Sequence, residues 1–168
     1  QDNIFQGEDY ISGMIKGIKR ISEIIRPTYG GAGTNIIIES KLNPGHLTTN
    51  DAQTIIQALR FENTVERKAL DLIKELCSKT DKESGNARKT TILLAEKILI
   101  EGYNYTGDKN ELKRELDKLI PYIESEIDKR TTLIDIDDVE NVATTASENK
   151  DTGKLLKEIY QKIGKNGI

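Results

Sequence analysis

The feature that most constrains this sequence is the spacing of its apolar residues at intervals of three and four. Between Tyr10 and Ile25 the opposite positions are charged, and one stripe is apolar: Ile11, Met14, Ile15, Ile18, Ile21, Ile24 and Ile25. This period matches the turn of an α-helix and gives the helix one face that packs on a core. The chain is therefore expected to be mainly α-helical.

Similar patterns predict further helices at about 55–59, 65–77, 90–99, 110–129 and 152–163, and residues 78–86 form a polar connector in this interpretation. Segment 90–99 is apolar on most sides, which predicts a helix buried at the centre of the domain. Gly13 and Gly17 lie one turn apart on the first helix. Because glycine weakens a helix, the pair indicates that another backbone packs closely there.

One small β element interrupts the helices. Pro27 ends the first helix, residues 28–34 form a glycine-rich turn, and Asn35 to Glu39 has the character of a short buried strand. Asn43-Pro44-Gly45 is the next predicted turn. A mainly α fold with a small β element follows.

Composition and charge exclude several classes of protein. The chain has 168 residues, a formal net charge of -3 and one cysteine. Without a basic patch, nucleic acid is not an expected partner, and a lone Cys77 gives no internal disulfide. No long apolar run or secretory signal is present, so neither a membrane span nor export is expected and a cytoplasmic location is the default. The ends at Gln1 and Gly167-Ile168 suggest a fragment of a longer chain.

Three segments could carry chemistry. In the turn at 28–34, bare glycine backbone could approach a phosphate, or the segment is an ordinary helix-to-strand turn. Segment 85–90 opens a helix, whose N–H donors with Arg88 and Lys89 could bind phosphate; by spacing alone a solvated basic cap is the favoured reading. It is not a P-loop, because Arg88 replaces the glycine before Lys-Thr.

Asp51 is the third candidate. A carboxylate at a helix start beside hydroxyls is most often an N-cap, and the alternative is a carboxylate that orients a water or helps hold a metal near a polyphosphate. The acidic run from Asp135 to Glu140 lacks the glycine and spacing of a calcium loop, so it is interpreted as a solvated face. His46 and Cys77 lack partners at zinc-ligand spacing.

In this order, the segments resemble the N-terminal part of a group I, GroEL-like chaperonin subunit, over about residues 5–168. The family's helix, Thr-Leu-Gly-Pro turn and strand are matched at Gly17, Thr28, Gly30, Gly33 and Asn35, with Tyr29 and Gly31 where Leu and Pro are usual. Asn50-Asp51-Ala52 falls where the family has Lys-Asp-Gly or Asn-Asp-Gly, and Gly85 to Thr90 falls where it has Gly-Asp-Gly-Thr-Thr-Thr. Further similarity lies at Leu112-Lys113-Arg114 and at Gly153 to Ile168.

The resemblance implies a domain plan and a fold. Residues 1–131 would be the N-terminal half of an equatorial, ATP-binding domain, a helical bundle with a small β element. Residues 132–168 would be the first segment of an intermediate domain. The apical domain and the C-terminal equatorial half would lie outside this sequence.

The resemblance also implies ATP and Mg²⁺ as cofactors, assembly into rings, and unfolded proteins as clients; a co-chaperonin is a further implied partner whose requirement stays open. The implied phosphate contacts are Thr28, Tyr29, Gly30, Gly31, Asn50 and Thr90, and Asp51 would position the attacking water. Asn86 stands at the magnesium position, where the family has Asp, so magnesium binding is expected to be weakened or lost. The implied nucleotide-binding set also includes Asn86 and the residues that replace Gly-Thr-Thr, which are Ala87, Arg88 and Lys89.

Three hypotheses follow from these matches and departures. The first is a chaperonin subunit that binds ATP and assists folding, with a diverged ATP site. The second is a chaperonin-like protein that has lost ATPase activity and serves as a binding or assembly module. The third is a helical scaffold whose turns are only turns. Whether ATP is hydrolysed is left open by the sequence.

Overall fold

The computed structural model describes residues 4–39, 45–147 and 149–164, and the chain divides into two compact units, Gln1–Leu112 and Lys113–Ile168. The helices and strands follow in this order: α1 Gly7–Ile25, a 3-10 turn Arg26–Thr28, β1 Ile36–Glu39, β2 His46–Thr49, α2 Ala52–Ala58, α3 Thr64–Ser84, α4 Arg88–Asn104, α5 Lys109–Arg130, a 3-10 turn Ile136–Asp138, α6 Val139–Ser147 and α7 Lys150–Ile163. The mainly helical prediction is confirmed.

The core of the first unit forms where α1 packs against α3. A Cβ atom placed on Gly17 would lie 2.7 Å from Cβ of Ala69, and one on Gly13 would lie 2.8 Å from Cγ1 of Val65. Only glycine lets the two helices approach this closely. The close packing predicted from Gly13 and Gly17 is confirmed.

A buried carboxylate reinforces the same interface. Glu66 of α3 is 3% exposed, accepts a hydrogen bond from Arg20, and lies 3.3 Å from Nζ of Lys16, both on α1. The Arg20 guanidinium also stacks on the Phe61 ring, 4.4 Å from its centroid. Burial acts to raise the pKa of Glu66, but the bonds from Arg20 and Lys16 outweigh it, so the pKa lies below its ordinary value. The carboxylate therefore stays ionised inside the interface.

The β element is an antiparallel pair in which Ile36 faces Thr49 and Glu39 faces His46. Ile36 and Ile38 pack against the core, whereas Ile37 between them is 69% exposed. The prediction of a buried strand is therefore wrong in one respect: successive side chains point to opposite faces, and only one face meets the core. The turn predicted at 43–45 lies mostly outside the described residues.

Helix α3 is longer than the sequence pattern predicted. Residues 78–84 continue the helix, so a polar connector at 78–86 is wrong up to Ser84. The hydroxyls of Thr80 and Ser84 bond the carbonyls of Leu76 and Thr80, one turn back, which lets these polar residues remain helical. Gly85 then ends the helix in the left-handed conformation, with φ 69°.

Helix α4 is not buried at the centre of the described chain, contrary to the prediction. Ile92 and Glu96 are its buried residues, while Leu94 and Ile98 are 56% and 57% exposed. One face of the helix packs on α1 and α3. No described element covers the opposite face, so apolar content alone overestimated the burial.

The second unit contains α6 packed on α7. Gly153 makes the contact close, since a Cβ there would lie 2.7 Å from the carbonyl oxygen of Glu140. The acidic run begins with a reciprocal cap between Asp135 and Asp138, and Lys157 pairs with Asp137 at 3.4 Å. The division into units falls within α5, and the assignment of residues 132–168 to an intermediate domain stays a prediction.

Candidate functional site

The turn after α1 is fixed by internal hydrogen bonds. Thr28 is buried, and its Oγ1 donates to the carbonyl of Ile25 at 2.7 Å. The N–H groups of Gly33 and Thr34 close the turn on the carbonyls of Gly30 and Pro27. Gly30 has φ +80°, and a Cβ on Gly33 would collide with the Thr28 carbonyl. The turn therefore requires its glycines, and the Thr28 hydroxyl is used inside it.

The segment before α4 adopts an unusual backbone conformation. Ala87, the N-cap residue, has φ 74° and is the single non-glycine residue with positive φ among residues 4–39, 45–147 and 149–164. The amide oxygen of Asn86 accepts the Ala87 N–H at 2.7 Å, and no side chain caps the helix. The first N–H groups of α4 thus lack a capping acceptor from its N-cap side chain.

Two hydrogen bonds join the turn to the start of α4. Nζ of Lys89 donates to the carbonyl oxygen of Thr28 at 2.8 Å. The hydroxyls of Tyr29 and Thr90 lie 3.2 Å apart. Residues 61 positions apart in sequence are brought into contact in both cases. The turn and the helix N-terminus therefore form one surface rather than two separate features.

Spacing alone favours a solvated basic cap at Arg88, and the structure shows that this prediction is wrong. Its side chain is 22% exposed and pairs with Oδ1 of Asp81 at 2.5 Å, while its Nε is buried without a partner in the described chain. The pairing arises because α4 starts beside the last turns of α3. The positive charge of Arg88 is therefore held between α3 and α4 and does not extend into solvent.

Asp51 is the N-cap of α2, as predicted. Its Oδ2 accepts hydrogen bonds from the backbone N–H and the hydroxyl of Thr54, each at 2.7 Å. Burial, the largest single influence, acts to raise the pKa of Asp51, but the Thr54 and Gln53 bonds and the charge of Arg88 together lower it. The Arg88 charge is the smallest of these influences.

The structure thus brings Thr28 and Tyr29 into direct contact with Lys89 and Thr90, with the charge of Arg88 acting on Asp51. The rest of the predicted set flanks these residues in sequence. Gly30 and Gly31 lie in the turn, Asn50 lies directly before Asp51, and Asn86 and Ala87 lie directly before α4. Sequence reasoning missed Asp81 and Thr54. The Thr54 contact could have been predicted, since a hydroxyl three residues after an N-cap Asp is well placed to donate to it. Nothing in the sequence around Asp81 indicates its pairing with Arg88.

These residues do not fit a magnesium ion. Asn86 offers a neutral amide oxygen that already accepts a hydrogen bond, and Arg88 and Lys89 follow it within three residues. Magnesium prefers carboxylates and phosphates. The donor set suits an anion better than a dication.

Two apolar grooves lie apart from these residues. One, of about 360 Å³, is lined by α1, α3 and the C-terminal part of α4, and the other, of about 410 Å³, by α1, β1 and α2. None of the predicted site residues lines either groove. Among residues 4–39, 45–147 and 149–164, no helix is both long and apolar enough to span a bilayer.

Comparison with solved structures shows the fold. Chaperonin gp146 from the bacteriophage EL 2 (Pseudomonas aeruginosa), crystallised with ATP-BeFx, matches with a TM-score of 0.79 and 22% identity over 96% of this chain and 28% of that one. A group III chaperonin in the open state matches with a TM-score of 0.75 and 15% identity, over 95% of this chain and 34% of that one. The chain thus spans about a third or less of these chaperonins, and the predicted equatorial-domain-like fold is confirmed.

The family assignment comes from sequence. The model of the TCP-1/cpn60 chaperonin family matches residues 21–163, which include the turn, Asp51 and the start of α4. Assignment to group I in particular stays a prediction. The chain belongs to the TCP-1/cpn60 chaperonin family.

Proposed function

We propose that the full-length protein is a chaperonin subunit that binds ATP, assembles into rings and assists the folding of client proteins, with an ATP site impaired for hydrolysis. Membership of the chaperonin family supports the general role. ATP binding, the clients, a co-chaperonin and a cytoplasmic location are parts of this proposal. In it, residues 1–131 form the N-terminal half of the equatorial domain and residues 132–168 begin the intermediate domain.

The observation that carries the proposal is the junction between the turn and α4. The bonds from Lys89 to the Thr28 carbonyl and between Tyr29 and Thr90 bring together two segments that the family resemblance assigns to the phosphates. Backbone N–H groups in a glycine turn and at a helix N-terminus both attract anions. A triphosphate would lie along Thr28 to Gly31 and against the start of α4.

Asp51 is the residue we assign to the attacking water. Its lowered pKa keeps it ionised at neutral pH, so it can accept a hydrogen bond from water. The Thr54 bonds hold the carboxylate in place through Oδ2, so its orientation toward a water would be fixed. The same side chain would then both cap α2 and serve hydrolysis.

The impairment is inferred from Asn86. Phosphoryl transfer depends on positioning and on neutralising the charge that develops on the phosphates. Magnesium normally supplies much of that charge, and the amide at position 86 is a poor ligand for it. Nucleotide would therefore bind without efficient turnover.

A second function is an ATPase-deficient binding or assembly module. Its support is that both basic side chains are already engaged, Arg88 with Asp81 and Lys89 with the Thr28 carbonyl. In this interpretation, Arg88 and Lys89 bind neighbouring groups of the protein and not a nucleotide. It predicts assembly without nucleotide turnover.

The test uses the full-length protein. Negative-stain microscopy and calorimetry with ATP are expected to show rings and nucleotide binding, and absence of both would remove the proposal. Asp51→Asn keeps a capping acceptor but loses the charge, so it should bind ATP while single-turnover hydrolysis falls at least about tenfold. Asp71→Asn on the exposed face of α3 is the matched control. Ring assembly without nucleotide binding in the starting protein favours the second function.

A further inference from the structure

On the basis of the proposed nucleotide binding, we propose that the site binds its nucleoside triphosphate without needing a divalent cation, and that the Lys89 ammonium takes the place of the metal as counterion. Lys89 would then be the residue that lets the site bind the triphosphate equally well with and without magnesium.

The first step concerns Asn86. Its Oδ1 accepts the Ala87 N–H at 2.7 Å, which leaves one lone pair of a neutral oxygen for a metal. The amide carries no charge to offset a dication. The following residues, Arg88 and Lys89, are cations that would repel one. The local charge at the start of α4 therefore favours a bare polyanion.

The second step is the position of Lys89. Its Nζ lies 2.8 Å from the carbonyl oxygen of Thr28, a residue fixed by burial and by its bond to Ile25. An ammonium has three N–H donors, and this bond uses one of them. Two donors are left for phosphate oxygens at the turn. Lysine binds phosphate as a compact point charge, which is the role a metal ion would otherwise fill.

The third step separates Lys89 from Arg88. The Arg88 guanidinium is paired with Asp81 at 2.5 Å, so much of its charge is neutralised locally. The pair joins the start of α4 to the last turns of α3. Lys89 has no carboxylate partner among the described residues, since its bond is to a neutral carbonyl. Its charge is the one available to the ligand.

The experiment compares ATP affinity of the full-length protein in magnesium with that in EDTA, by calorimetry. We expect the two dissociation constants to agree within about threefold. Affinity that falls tenfold or more in EDTA, about 1.4 kcal/mol, would overturn this inference and leave the proposed function intact. Absence of binding in both buffers would overturn the inference and the proposed function together.

Variants assign the effect to Lys89. Lys89→Gln keeps a long side chain and an N–H donor but loses the charge, and should weaken ATP binding in EDTA by about tenfold or more. Lys97→Gln, on an exposed position of the same helix, is the matched control and should bind as the starting protein does. Adding Asn86→Asp to Lys89→Gln should make binding depend on magnesium. Unchanged binding by Lys89→Gln, with an unchanged melting temperature, would contradict the proposal.

Discussion

Two contacts within the first unit, the α1–α3 interface and the junction between the turn and α4, are made in different ways. The first is set by backbone proximity: Gly13 and Gly17 admit Val65 and Ala69 where any Cβ would collide. The second is made by polar side chains, Lys89 on the Thr28 carbonyl and Tyr29 on Thr90, with Tyr29 47% exposed. The α1–α3 interface therefore depends on close packing and on the buried carboxylate of Glu66, and the junction depends on hydrogen bonds.

The difference explains how a chaperonin fold can carry an altered site. A close-packed interface tolerates little change in volume, so substitutions there act on the whole unit. Partly exposed polar contacts contribute little each to stability. Residues at the junction can therefore be exchanged with small effects on folding.

The largest effect is expected for Gly17→Val. The new Cβ would lie 2.7 Å from Cβ of Ala69 and 3.0 Å from Cα of Glu66, and backbone cannot move aside cheaply. We expect the free energy of unfolding to fall by about 3 kcal/mol, measured by urea denaturation. Gly102→Ala on α4, where nothing lies within 4 Å, should instead stabilise by about 0.5–1 kcal/mol. Equal effects of the two substitutions on the free energy of unfolding would show that the α1–α3 interface is not unusually close-packed.

The next effect tests the charge inside the α1–α3 interface. Glu66→Gln should lower the melting temperature at neutral pH, because Arg20 and Lys16 lose an ionised partner. The pKa of Glu66 lies below its ordinary 4.5, so its stabilisation is full above that value and is lost as the pH falls through the lower, folded-state pKa. The difference in melting temperature between the starting protein and Glu66→Gln should therefore disappear in acid. Glu75→Gln, on the exposed face of α3, should show no such gap.

A smaller effect, of opposite sign, is expected for Ala87→Gly at the junction. A left-handed conformation costs a non-glycine residue about 1 kcal/mol, so glycine should stabilise the protein by about that amount. Ala95→Gly within the same helix should destabilise by about 1 kcal/mol. Urea denaturation of both variants gives the comparison. A loss of stability with Ala87→Gly would show that the strain argument is wrong.

The smallest effect is expected for Tyr29→Phe. It removes one exposed hydrogen bond to Thr90, worth about 0.5 kcal/mol or less. Tyr122→Phe, an exposed tyrosine on α5, should cause no measurable change. A loss of several kcal/mol from Tyr29→Phe would mean that the junction is as rigid as the α1–α3 interface, and would remove the distinction between them.

The sequence predicted the features that depend on local pattern. Periodicity gave α1, glycines one turn apart predicted its close contact with α3, and the position of Asp51 predicted a cap. Each of these follows from neighbours a few residues apart. The family resemblance added the grouping of the turn with the start of α4.

The rest depended on contacts between distant residues. The apolar character of Leu94 and Ile98 indicated a helix that could be buried, but not which partner would cover it, and they are exposed in the described chain. The pairing of Arg88 with Asp81 and of Lys89 with Thr28 follows from how the helices meet. No spacing in the sequence indicates either contact.

The proposed loss of the metal ligand at Asn86 can be measured as a rate. Steady-state ATP hydrolysis by the full-length protein in magnesium is compared with that of the variant Asn86→Asp with Ala87→Gly, and Ala87→Gly alone is the control. We expect slow turnover in the starting protein and in the control, and a rate at least about tenfold higher in the variant that carries the carboxylate at position 86. Turnover in the starting protein as fast as in that variant, or no gain from Asn86→Asp, would mean that position 86 does not limit hydrolysis.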